Sequence, residues 1–106
     1  MLRIHAVVVG MVGMVRPYLA AIERRDSDLA RQLRRAAASV VLNLNEGMYS
    51  RGKNRQARYH NALGSLRETK ACLEVAWAFG YVGALDAKLE DAIEHATGTL
   101  VRLVER

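Results

Sequence analysis

The sequence predicts an all-α protein, an antiparallel up-down bundle of four helices. Three observations lead there. Apolar residues recur at three- and four-residue spacing in four separate stretches, the mark of one buried face per helix. The strong helix formers Ala, Leu, Arg and Glu are abundant, and only one proline occurs, Pro17. The stretches between the periodic segments are short, so consecutive helices pack as antiparallel neighbours. A chain of 106 residues, 51% of them hydrophobic and 25% charged, suits one domain spanning residues 1–106 with a modest core.

The first helix is expected over about residues 3–25, with Ile4, Val8, Met11, Val12, Val15, Leu19 and Ile22 on one face. Pro17 lies inside this pattern. It predicts a bend near residues 13–17, because an interior proline removes a hydrogen bond. The apolar run 6–15 is too short to span a bilayer, and residues 17–20 make no clear small-x-small cleavage site. A buried first helix is therefore expected, and no membrane association. Asp26 and Ser27 suit the cap of a second helix, which runs to about Gly47 with Leu29, Leu33, Ala36, Ala37, Val40 and Leu44 as its stripe. Gly47 reads as its stop.

Residues 48–53 form a basic loop. The third helix is expected from about Asn54 to Phe79, with Gly80 as its stop. It carries two stripes. Tyr59, Ala62, Leu66, Leu73, Ala76 and Trp77 make one, and Asn61, Ser65, Glu68, Cys72, Val75 and Phe79 make the other. Such a helix is expected to be covered on most sides, either central to the bundle or shared with a neighbouring subunit, with Trp77 and Phe79 in the core. Asp86 suits the cap of the fourth helix, which shows Leu85, Leu89, Ala92, Ile93, Ala96, Leu100, Leu103 and Val104.

The net charge of +5 is unevenly spread. Residues 31–70 carry nine basic and two acidic side chains, whereas residues 71–106 carry three basic and six acidic ones. A positive field in the middle of the chain attracts phosphate backbones. The candidate nucleic-acid contacts are Arg51, Lys53, Arg55 and Arg58, with Arg31 and Arg34 beside them; Tyr49 and Tyr59 lie near enough to stack on exposed bases. The plainer alternative is a solvated basic turn.

Arg35, Ser39, Asn43 and Glu46 fall along one side of the second helix, and Asn61, Ser65 and Glu68 stack likewise on the third. Two facing polar stripes predict a structural hydrogen-bonded network of Arg35, Ser39, Asn43, Glu46, Ser65 and Glu68, in which an arginine answers a carboxylate. A ligand pocket or a catalytic Glu46–Glu68 pair is the competing reading. Gly64 in mid-helix costs about 1 kcal/mol, which predicts close approach of another helix there, within the subunit or across an interface.

Several patterns lead nowhere. Gly47-x-x-x-x-Gly52-Lys53 matches most of a phosphate-binding loop, but Asn54 stands where Ser or Thr must hold magnesium, and a helix precedes it instead of a strand. Asp91 and His95 make at most half a metal site, and His5 and His60 are isolated. Cys72 reads as a small core residue, and a single thiol points to a reducing compartment. No Ser-His-Asp order or dinucleotide turn is present. A non-catalytic role without cofactor or metal is expected.

Arg35-Ala36-x-x-Ser39, Asn43-x-x-Glu46-Gly47 and Ala62-x-Gly64-Ser65-x-x-Glu68 together resemble the hallmark of the four-helix bundle family also called the 23S rRNA intervening-sequence proteins. Asn45 departs from the small residue common there. A relative of that family is the accessory variability protein of diversity-generating retroelements, a basic pentameric barrel that works with a reverse transcriptase and nucleic acid. The resemblance implies a bacterial cytoplasmic protein, a homopentamer, and contact with RNA or DNA as an accessory factor. The alternative is a protein-interaction scaffold whose positive face docks an acidic partner without nucleic acid.

Overall fold

The computed structural model describes the backbone of residues 2–105 and the side chains of residues 3–105. Four helices follow one another, α1 (Leu2–Glu23), α2 (Ser27–Met48), α3 (Gly52–Ala78) and α4 (Ala87–Val104), and no strand occurs among the described residues. Each helix packs on its chain neighbours and α1 packs on α4, which closes a square of four. The α2–α3 side and the α1–α4 side therefore lie opposite each other. The α1–α2 and α3–α4 connections share the lower end, and the α2–α3 connection forms the upper end.

The core is the sum of the predicted stripes. Ile4, Val8, Met11, Val15 and Ile22 of α1 meet Leu33, Val40 and Leu44 of α2, Leu66 and Leu73 of α3, and Leu89, Ile93 and Leu100 of α4. Each large aliphatic side chain withdrawn from water stabilises the fold by about 1.5–3 kcal/mol. Pro17 sits inside α1 without ending it. By length and composition α1 is apolar enough to cross a membrane, with a mean hydropathy of 1.5 in an 18-residue window within Arg3–Glu23. That stretch is longer than the run 6–15, because Pro17 to Ile22 add to it. In the bundle one side of α1 is core, while Ala6, Val9, Gly10 and Met14 remain exposed.

The helix ends follow local chemistry. Asp26 and Asp86 accept hydrogen bonds from the amides of Leu29 (3.0 Å) and Leu89 (2.9 Å), as N-caps do. At the end of α3, Gly80 takes φ +77°, its amide donates to the Trp77 carbonyl, and the Tyr81 amide donates to the Ala76 carbonyl. This is a Schellman stop, for which glycine is favoured because it has no Cβ to clash.

Four expectations need correction. Gly47 does not stop α2, which continues to Met48. A Cβ at Gly47 would stand 2.6 Å from the Tyr59 ring, so the glycine admits that ring between α2 and α3. The close approach expected at Gly64 is absent within the protomer: nothing lies within 4 Å of a Cβ placed there. The second stripe of α3 is mostly bare, with Asn61, Glu68, Val75 and Phe79 exposed, and only Cys72 buried. Trp77 and Phe79 are 61% and 64% exposed, not core. The cause is a length mismatch. The Asp86 amide donates to the Tyr18 hydroxyl, which lies about 7 Å above the lower end of α1, so α4 begins above the last turn of α3 and leaves Trp77 uncovered.

Candidate functional site

The α2–α3 interface builds a polar seam. α2 rises and α3 descends, so a stripe reading Arg35, Ser39, Asn43, Glu46 lies against one reading Glu68, Ser65, Asn61, Arg58. At its centre the Ser65 hydroxyl donates to Ser39 Oγ (2.7 Å), and Asn43 Nδ2 donates to Ser39 Oγ (2.9 Å) and to the Ser39 carbonyl (3.0 Å). Thr69, fully buried, donates to the Ser65 carbonyl (2.8 Å). Above this, Arg58 approaches both Asn43 Oδ1 (3.5 Å) and Glu46 Oε2 (3.6 Å).

The network therefore takes in Ser39, Asn43, Glu46 and Ser65, and its arginine is Arg58. Arg35 and Glu68 stand outside it. They line an open groove of about 350 Å³ together with Gln32, Ala36, Ser39 and Ser65. Neither makes an ion pair among the described residues. Glu46 and Glu68 sit at opposite ends of the seam, so they form no carboxylate pair. The seam was legible as two stripes at helical spacing. The role of Arg58 was not, because its assignment depends on which side of α3 meets α2.

The basic residues divide in the same way. Arg34 Nη2 donates to Glu23 Oε1 (2.7 Å) and Arg31 pairs with Asp28 (3.4 Å), both at the surface. Arg55 bends back over the end of α2, where its guanidinium donates to the carbonyls of Ser50 (2.8 Å), Gly47 (3.1 Å) and Met48 (3.5 Å). It satisfies C-terminal carbonyls that α2 itself cannot, and the positive charge suits that end of the helix. Arg51 and Lys53 are exposed and have no internal ion pair or side-chain hydrogen bond among the described residues.

Tyr49, 81% exposed, stands with them, whereas Tyr59 is buried beneath Gly47 and is removed from any stacking role. Arg51 is also the N-cap of α3 and supplies no side-chain cap, so the first-turn amides of α3 keep donors for an anion. Gly52, at φ +57°, makes the sharp entry into α3.

At the lower end, Asp26 serves two partners. It caps α2 and accepts the Tyr81 hydroxyl proton at 3.3 Å. Arg25 lies 5.5 Å from the Tyr81 ring centroid, and the Phe79 ring packs on Tyr81 at 5.5 Å. Loss of hydration, and then the Asp26 carboxylate, push the Tyr81 phenol above its ordinary value; Arg25 opposes this. Burial, followed by Glu68, likewise raises the Cys72 thiol. A thiol so placed is a poor nucleophile. No three His, Cys, Asp or Glu side chains gather into a metal-holding group among the described residues. Asp91 and His95 are exposed on α4 and line a groove against α1.

Comparison with known proteins accords with this geometry. The family described as 23S rRNA-intervening sequence protein matches residues 16–102. The chain is similar to a crystallised protein of unknown function from the S23 ribosomal protein family of Bacteroides thetaiotaomicron. The TM-score is 0.82 at 13% identity, over 97% of this chain and 99% of that one. That likeness is one of fold. No curated protein matches the chain.

Proposed function

The chain belongs to the 23S rRNA-intervening sequence protein family, and from that premise we propose that it is a non-catalytic, self-assembling bundle that binds RNA or DNA through its upper end. The observation that carries this reading is the contrast among its cations. Arg51 and Lys53 project beside the exposed Tyr49 with no internal partner, while Arg55 is held by backbone carbonyls. Arg58 is within reach of the same strand once its surface pair opens, since such pairs are worth about 0–1 kcal/mol, whereas Arg31 and Arg34, paired with Asp28 and Glu23 at the lower end, stand about 20–25 Å below the loop and fall outside this surface. Phosphate contact with little sequence preference follows, and Tyr49 offers a stacking face.

In this reading the protein is a cytoplasmic accessory factor to a nucleic-acid enzyme such as a reverse transcriptase. It assembles as a homopentamer, which multiplies the basic loop and its avidity. The second reading, a scaffold docking an acidic or apolar protein partner, is favoured by one observation, the exposure of Trp77 and Phe79 at the end remote from the loop.

Titration of a labelled single-stranded RNA at several salt concentrations, with light scattering of the same samples, tests the proposal. Affinity should fall steeply with salt, and Arg51→Ala with Lys53→Ala should reduce the log–log slope by about 1.4 for each loop engaged. An unchanged slope removes these residues from the contact surface. Indifference to RNA at low salt transfers the reading to the protein scaffold.

A further inference from the structure

We propose that the groove between α2 and α3 is a binding site for a small zwitterion of the α-amino acid class. The site lies below the basic loop and shares no residue with it.

The two walls of the groove differ in kind. The α2 wall presents donors: the Arg35 guanidinium, the Ser39 hydroxyl one turn above it, and the Gln32 amide one turn below. The α3 wall presents the Glu68 carboxylate, one turn below Ser65. Ala36 lines the groove between them without filling it.

Little of this polar capacity is used inside the chain. Arg35, Gln32 and Glu68 have no ion pair and no side-chain hydrogen bond among the described residues. Arg35 and Glu68 carry opposite charges on the two walls of one groove, yet they do not pair. Ser39 Oγ accepts from both the Ser65 hydroxyl (2.7 Å) and Asn43 Nδ2 (2.9 Å). One hydroxyl proton of the serine pair is therefore left without an acceptor among the described residues.

These signs select the ligand. A simple anion is attracted by Arg35 and repelled by Glu68, and a simple cation meets the reverse. A molecule with a carboxylate and an ammonium a few ångströms apart answers both. Its carboxylate accepts from the guanidinium, whose planar fork matches a carboxylate, and from the remaining serine proton. Its ammonium donates to Glu68. The polyanionic backbone of a nucleic acid lacks the second charge, so the groove and the basic loop select different ligands.

Gly64 fits the same site. It lies one turn above Glu68 on α3, where glycine weakens the helix. No neighbour in the chain needs the space, since a Cβ placed there meets nothing within 4 Å. The missing side chain leaves room beside the carboxylate. The groove, at about 350 Å³, is at the small end of ligand sites, which suits an amino acid.

The probes are the standard L-α-amino acids, titrated into the full chain by calorimetry. At least one should bind with a Kd of about 1 mM or tighter. Its analogue without the amine and its analogue without the carboxylate should each bind about tenfold more weakly or worse, because each loses a charged partner. Arg35→Ala and Glu68→Gln should have the same effect. Both side chains are exposed, and circular dichroism checks that the variants fold. Arg51→Ala with Lys53→Ala should leave amino-acid affinity unchanged, and Arg35→Ala should leave the salt slope of RNA binding unchanged. Binding of none of the amino acids would overturn the proposal. So would a singly charged analogue that binds as well as its parent, or binding that survives Glu68→Gln. A fall in the RNA salt slope for Arg35→Ala would place the groove in the nucleic-acid surface and overturn its separate role.

Discussion

The two ends of the bundle use charge in opposite ways. At the lower end the residues of the connections are tied down by polar contacts. Asp26 caps α2 and holds Tyr81, Arg25 lies over the Tyr81 ring, Glu23 pairs with Arg34, and Asp86 caps α4 while its amide donates to Tyr18. At the upper end Arg55 and the Ser50 hydroxyl satisfy the carbonyls that end α2, and Arg51 and Lys53 are left over. A connection whose hydrogen bonds close on themselves secures the fold. One that leaves cations exposed on a built loop is where a ligand finds them. The aromatic side chains run the other way, with Trp77 and Phe79 bare at the lower end and Tyr59 buried at the upper.

The sharpest way to break this comparison is at the upper end. Gly47→Ala should destabilise the protein by about 1–3 kcal/mol in urea unfolding, because Tyr59 must leave its seat against α2. Gly64→Ala, in open space, should instead stabilise it by up to about 1 kcal/mol. Equal effects at the two glycines would remove the packing role given to Gly47.

At the lower end, Asp26→Ala should lose about 1–2 kcal/mol, since a cap and the Tyr81 contact disappear together. The same change should move the Tyr81 phenol down, read from tyrosinate absorbance against pH. The sign is fixed by the raised pKa in the fold. The stabilisation is complete below about pH 10 and is lost as pH rises through the folded value.

Arg55→Ala should cost about 1 kcal/mol of stability and leave the salt slope of RNA binding nearly unchanged, whereas changes at Arg51 and Lys53 should do the reverse. A large loss of salt slope in Arg55→Ala would erase the distinction between holding the loop and contacting a ligand.

Much of this was legible before any coordinates. The stripes of α1, α2 and α4 are the observed core, and Asp26, Asp86 and Gly80 act at the predicted helix ends. The polar seam was visible as two stripes, and Ser39 does meet Ser65. The errors cluster on α3. Periodicity assigns a residue to an angle on its own helix, but it does not say whether another helix reaches that height. Trp77 continues the stripe of Leu66 and Leu73 at a level where α4 has not yet begun.

By itself the sequence determined the number of helices, the buried faces of α1, α2 and α4, the caps of α2 and α4 and the concentration of positive charge in the middle of the chain. These depend on a 3.6-residue period and on local hydrogen bonding, which act within a few residues. Only the tertiary structure decided which cations are consumed, which glycine carries a close contact, and which charges of the seam remain unanswered. Those outcomes depend on the relative heights of helices joined far apart in the chain. An offset of little more than one turn between the ends of α3 and α4 is enough to move an indole from core to surface.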